Sequence, residues 1–155
     1  MAVRATILDI RELAAAEDRI IPDVRRRFQL LLVQDPEGSA RLLLGNIYQC
    51  QAQQPRQQEA MLRLVEASVS RWGRDCDLCA IGGDWNASLQ LRYGYSEATR
   101  TAAADRRLAT FVHAGNWNYV APAEATWHSS DQQRRTTLDG FSWRSRIAPG
   151  HPASL

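Results

Sequence analysis

The sequence predicts an α/β fold built on a buried sheet, and three observations predict it. Residues 28–33 and 41–48 are apolar runs of strand length, separated by the turn-forming Asp35-Pro36-Glu37-Gly38-Ser39. Between Pro55 and Gly73, apolar residues recur at helical spacing, with proline suited to the first turn and glycine to the stop. A third apolar run, Leu78-Cys79-Ala80-Ile81, follows and ends in Gly82-Gly83. Strand, helix and strand over residues 41–86 make a βαβ-like unit whose two strands run parallel.

Composition bounds the answer. A chain of 155 residues is one domain, long enough to bury a real core. Apolar content of 45% and charged content of 23% are those of a soluble globular chain. A net charge of +2 is too small to imply nucleic-acid binding by itself. All 19 basic residues are arginine, so any phosphate contact would be made by a planar, bidentate donor. No apolar run reaches the ~18 residues of a membrane span, and the N-terminus lacks the apolar core of a signal peptide. An intracellular protein, nuclear or cytoplasmic, is expected. Cys76-Asp77-Leu78-Cys79 has CxxC spacing, but no second pair or nearby histidine completes a zinc site. It reads as a strand start with two small side chains.

Taken in order, residues 1–27 read as an irregular lead-in and one helix. Ile10, Leu13, Ala14, Ile20 and Ile21 recur at helical spacing, Asp9 is a candidate cap and Pro22 a stop. Arg25-Arg26-Arg27 reads as a solvated edge before the first strand, in preference to a phosphate clamp. The first two strands form a hairpin. Residues 51–58 are a glutamine-rich connector, and Met61, Leu62, Val65, Val69 and Trp72 mark the buried face of the helix after it. A long loop over residues 88–101 carries Tyr93-Gly94-Tyr95. A second helix runs from about Ala102 to Ala114, with Leu108, Phe111 and Val112 inward and Gly115 after it. Thr126-Trp127-His128 and residues 136–143 then read as a second hairpin around a polar tip at 129–135. Asp139 falls mid-strand there, where a carboxylate needs a partner. The last residues read as an unstructured tail.

Ile81-Gly82-Gly83-Asp84-Trp85-Asn86 carries the chemistry. Side chains two apart on an extended chain point the same way, so Asp84 and Asn86 would share one spot while Trp85 packs on the other side. A carboxylate that orients or deprotonates a water, beside an amide that holds an oxyanion, suits phosphate-ester hydrolysis; the same residues are also ordinary turn formers. Asn46 and Tyr48 are likewise two apart, on the strand before. In parallel sheets sites form at the carboxyl ends of strands, and both Tyr48 and Asp84 lie there. Arg100, Arg106 and Arg107 cluster near the start of the second helix, suited either to a solvated face or to a nucleic-acid backbone.

The order Asn46-Ile47-Tyr48, helix, Gly83-Asp84-Trp85-Asn86, Thr126-Trp127, Leu138-Asp139 resembles the endonuclease/exonuclease/phosphatase superfamily, the DNase I-like proteins. It looks most like the branch of non-LTR retrotransposon endonucleases, with Trp85 where the family usually has Phe or Leu. The resemblance implies a DNase I-like sandwich of two sheets flanked by helices, here incomplete, with one sheet and its helices mostly present. It divides the chain into a lead-in (1–27), a partial domain (28–146) and a tail (147–155). It implies a phosphodiesterase that uses magnesium or manganese and acts on DNA. By position, Asp84 would orient or deprotonate the attacking water. Asn86 would hold Asp84 and the scissile phosphate, Tyr48 would donate to that phosphate, and Asp139 matches an aspartate that orients a catalytic histidine. Asn46, Thr126, Trp127 and Arg100 would lie on the substrate side, and Asp84 and Asn86 would bind the metal weakly.

Two family features are absent. No early strand brings an asparagine and then the glutamate that is a principal metal ligand, and no Ser-Asp-His follows Asp139. The late histidine, His151, stands in Pro149-Gly150-His151-Pro152 instead. The expectations are therefore a partial endonuclease, or a catalytically dead remnant that binds nucleic acid or protein without holding a metal. A phosphoesterase on small esters ranks below these. An exposed apolar sheet face, or a partner that covers it, is expected with each.

Overall fold

The computed structural model describes residues 3–10, 24–89, 100–124, 126–128, 135–136 and 138–145. The predicted hairpin is present. β2 (Phe28–Gln34) and β3 (Arg41–Tyr48) pair antiparallel, with Gln34 opposite Arg41. The turn between them closes through the Gly38 N–H on the Asp35 carbonyl at 3.1 Å, with Gly38 at φ 71°. Helix α2 (Pro55–Trp72) begins with proline in its first turn and ends where the Gly73 N–H reaches the Val69 carbonyl at 2.8 Å. Its buried stripe is Met61, Leu64, Val65, Ser68 and Val69, at three- and four-residue spacing. Leu62 and Trp72 flank that stripe, half-buried. The chain then returns as β4 (Leu78–Asp84), parallel to β3 as predicted.

Several elements differ from the sequence reading. Arg4–Leu8 is a strand, β1, antiparallel to β2, where an irregular lead-in is predicted. Local pattern does not reveal it, because its hydrogen-bond partner lies more than twenty residues away. The helix expected through Leu13, Ala14, Ile20 and Ile21 lies outside the described residues, and Val24–Arg27 form one short helical turn, α1. Helix α3 (Arg100–Ala114) starts two residues before its predicted position; Leu108 and Phe111 are buried and Val112 half-buried. Asn118–Val120 is an unpredicted short strand, β5. The predicted second hairpin divides. β6 (Trp127–His128) pairs only with β7 (Arg135–Thr136), whereas β8 (Asp139–Ser145) joins the main sheet between β4 and β5. The sheet order is thus β1-β2-β3-β4-β8-β5. The tip at 129–134, the Tyr93-Gly94-Tyr95 loop and the tail with His151 lie outside the described residues.

Alternation divides the sheet into two faces. Phe28, Leu30, Leu43, Ile47 and Ile81 face one way and share a single core with Met61, Leu64 and Val65 of α2 and Leu108 and Phe111 of α3. Trp85 and Trp117 fill the space between sheet and helices. An ion pair, Arg107 to Glu59 at 3.3 Å, and a hydrogen bond from Arg107 to the Gln58 side chain at 3.0 Å tie α3 to α2. Ile7, Leu31, Leu44, Phe141 and Trp143 face the other way and take no part in that core. No helix among the described residues is long and apolar enough to cross a membrane.

Candidate functional site

Three strands deliver the site. Tyr48 of β3 stands beside Asp84 of β4, and Asp84 stands opposite Asp139 of β8. The three form one row on the face turned away from the two long helices, at the carboxyl ends of the two parallel strands. The next row holds Asn46, Gly82 and Phe141, with Gln29 beyond Asn46. Asp139 is the first residue of its strand and not, as predicted, mid-strand. Its neighbour across the sheet is a second carboxylate.

Backbone geometry holds this row in place. Gly83 sits at φ 137°, and a Cβ there would lie 2.1 Å from the Ile47 carbonyl oxygen, so only glycine lets β4 approach β3 at this point. The strand ends at Asp84, whose carbonyl accepts the Gln49 N–H at 2.7 Å. Asn86 then adopts φ 47°, left-handed and not extended. Asp84 and Asn86 are therefore joined by a turn and not by strand alternation: the Asn86 N–H donates to Asp84 Oδ1 at 2.8 Å. The Asn86 amide is anchored in turn, with Nδ2 donating to the Gln49 carbonyl at 2.6 Å. Trp85 points inward as predicted. It is 1% exposed, its Nε1 donates to the Gly140 carbonyl at 3.1 Å, and its N–H donates to the Leu138 carbonyl at 2.8 Å. Its ring meets Phe111 and Tyr119 at centroid distances of 5.8 and 6.4 Å. Thr126 supports the third member of the row, its hydroxyl oxygen accepting the N–H groups of Leu138 and Asp139 at 3.1 and 3.3 Å.

Burial raises the Asp84 pKa above the usual carboxylate value. The Asn86 N–H opposes the rise and the Asp139 charge reinforces it. Burial also pushes the Tyr119 phenol, on the helix side, up to about 12. The Tyr48 ring is half exposed and carries the Arg27 guanidinium 4.9 Å from its centroid. Arg27 is the residue the sequence reading left off the site, having ranked a phosphate clamp at Arg25-Arg26-Arg27 below a solvated edge. Read as part of a solvated run, it lies against the site because α1 leads directly into β2. The register of β2 on β3 sets Phe28 opposite Ile47, next to Tyr48, and so brings Arg27 there.

Of the other predicted residues, Asn46 is exposed beside the row. Arg100 opens α3 and Trp127 opens β6, but their side chains lie outside the described part of the structure. Cys76 and Cys79 are free and buried; their thiols donate to the carbonyls of Trp72 and Gly73, and burial pushes Cys79 up to about 11. They behave as protonated packing residues. Among the described residues, no three His, Cys, Asp or Glu side chains gather as a metal cluster.

A six-stranded mixed sheet with two long helices on one face and a carboxylate pair at its strand ends is the α/β architecture of a partial DNase I-like domain. No family model and no curated protein matches the chain. Among solved structures it is similar to the endonuclease domain of TRAS1, a telomere-specific non-LTR retrotransposon, at a TM-score of 0.57 and 13% identity. The match covers 89% of this chain and 55% of that one, so the chain spans about half of that domain. At this identity the likeness is one of fold.

Proposed function

We propose that the Tyr48–Asp84–Asp139 row is a phosphodiester site, and that the chain is the site-bearing part of a divalent-metal-dependent endonuclease acting on DNA. One observation carries the reading. Three residues far apart in sequence, of the types such hydrolysis needs, come together in one row on a fold similar to an endonuclease domain.

The donor set suits magnesium in the mode where one or two carboxylates hold the ion together with substrate phosphate oxygens. Asp84 and Asp139 stand on neighbouring strands, and a cation between them would offset the Asp139 charge that adds to the rise burial causes at Asp84. The Asn86 amide nitrogen is taken by Gln49, so its carbonyl oxygen is the atom left for a cation or a water. When bound, the ion would neutralise charge on the phosphate oxygens.

The chain's own residues do the rest. The Asn86 N–H holds Asp84 through Oδ1, leaving Oδ2 to orient an attacking water or take its proton. The exposed Tyr48 hydroxyl donates to a non-bridging phosphate oxygen. Arg27, over the Tyr48 ring, adds positive charge beside that phosphate.

A second reading is a binding module without chemistry. The small number of acidic ligands among the described residues favours it. Plasmid nicking in millimolar magnesium or manganese separates the two. Nicking that disappears in Asp84→Ala is the expected result. No nicking by either chain removes the catalytic reading, and a gel shift with the same plasmid then tests the binding one.

A further inference from the structure

We propose that Gln49 and Gln58, two buried amides behind the candidate site, are positioning residues for the Asp84–Asn86 turn, and that Arg107 of α3 completes the chain that sets them. The effect on cleavage rests on the endonuclease reading above; the positioning itself does not.

Gln49 holds both members of the turn through its own backbone. Its N–H donates to the Asp84 carbonyl at 2.7 Å, and its carbonyl accepts from Asn86 Nδ2 at 2.6 Å. The direction of the Gln49 carbonyl therefore decides where the Asn86 amide stands, and the Asn86 N–H in turn holds Asp84 Oδ1. That carbonyl shares one planar peptide unit with the Cys50 N–H, which points the opposite way. The Cys50 N–H is taken by Oε1 of Gln49 itself at 2.8 Å. The Gln49 side chain thus pins one side of a rigid plane whose other side holds Asn86. The following peptide is pinned as well, because Gln58 Nε2 donates to the Cys50 carbonyl at 2.9 Å. Gln49 Nε2 reaches the Gln58 backbone carbonyl at 3.4 Å and ties the two residues together.

The partners settle which way each amide faces. Arginine can only donate, so Arg107, with a guanidinium nitrogen 3.0 Å from Gln58 Oε1, leaves Nε2 of Gln58 for Cys50. A backbone N–H also only donates, so Gln49 turns Oε1 to Cys50 and Nε2 to Gln58. Gln49 is 3% exposed and Gln58 2%. With Trp85, Ala87, Leu108 and Arg107 they close around a cavity of about 10 Å³, which gives neither amide room to swing to other partners. Burying an amide is costly unless it is bonded, and an apolar side chain of the same size would fill either position if packing were the only requirement. A satisfied buried network instead specifies one geometry. Here it runs from α3 through the first turns of α2 to the end of β3, and from there to the turn that ends β4.

The test compares the full chain with Gln49→Met, Gln58→Met and Gln49→Glu, reading the Asn86 side-chain amide by NMR on isotope-labelled protein. Both methionine variants are expected to move that amide to the position and fast solvent exchange of a free one. Gln49→Glu keeps the acceptor for the Cys50 N–H and should leave it near its natural position. Leu43→Ala, which loosens the core elsewhere, should lower the melting temperature without releasing the amide. Folded methionine variants with an unmoved Asn86 amide overturn the proposal. So does an amide released equally by Leu43→Ala, which would make the effect one of general loosening. If Gln49→Met fails to fold, Gln58→Met and Gln49→Glu decide by the same readout. In plasmid nicking with magnesium, the methionine variants should lose about tenfold in kcat at unchanged KM, with recovery in Gln49→Glu. A released amide with an unchanged nicking rate overturns the role at the site. Absence of nicking by the natural chain removes the endonuclease reading alone, and the NMR result then decides the positioning.

Discussion

The two faces of one sheet differ more than any two elements of the molecule. Leu43 and Leu44 are neighbours on β3; the first is 1% exposed in a core shared with both long helices, and the second is half-buried on the open face. The strands are equally apolar on both sides, as in a sheet meant to be covered twice. Among the described residues only one cover is present, the two long helices, and the candidate site lies at the end of the other side. The helix side carries the core, and the other side carries the candidate site.

The largest expected effect tests this asymmetry directly. Leu43→Ala should cost about 3 kcal/mol by cavity formation, and Leu44→Ala about 1 kcal/mol, read from urea midpoints. Equal losses would mean that both faces are packed. Next in size is Thr126→Val, which deprives the Leu138 and Asp139 N–H groups of their acceptor. It should cost about 1 kcal/mol and lower any nicking activity as Asp139 loosens. A loss of stability with activity intact would separate Thr126 from the site.

The next effect has the opposite sign. Asp84 keeps its proton to higher pH in the folded chain than in the unfolded one, chiefly because it is buried. The stability this confers is fully present below pH 3.8 and is lost as pH rises through the raised folded value. Asp84→Asn should therefore melt higher than the natural chain at pH 7 without divalent ions, and the two should converge near pH 3. A lower melting temperature at pH 7 would show that the carboxylate is stabilised by partners instead. Smallest of all is Arg27→Ala. Its loss over the exposed Tyr48 ring should cost about 0.5 kcal/mol in stability, while nucleic-acid affinity falls in a gel shift. Unchanged affinity would return Arg27 to the solvated edge.

Much of this was legible before the structure. β2, β3 and β4 are apolar runs, α2 and most of α3 carry a helical period, and turns or stops fall at Pro36, Gly38, Gly73 and Gly115. Tyr48 and Asp84 were found because each closes a parallel strand. Asn86 was placed beside Asp84 for the wrong reason: alternation suggested it, but a left-handed turn achieves it. Asp139 was seen as a carboxylate in need of a partner, yet its neighbour across the sheet is another acid. Arg27 was read as solvent-facing, since nothing near it in sequence names Tyr48.

The sequence alone determined that β2, β3 and β4 are strands and that α2 and most of α3 are helices, because apolar patterning and turn chemistry act over a few residues. Tertiary structure alone decided that β1 caps one edge, that β8 slots between β4 and β5, and that Tyr48, Asp84 and Asp139 share a row. The physical reason is that strands are joined by backbone hydrogen bonds, which every residue but proline offers alike. Neighbour and register are therefore settled by how the whole sheet buries its apolar faces, and no local stretch of chain records that outcome.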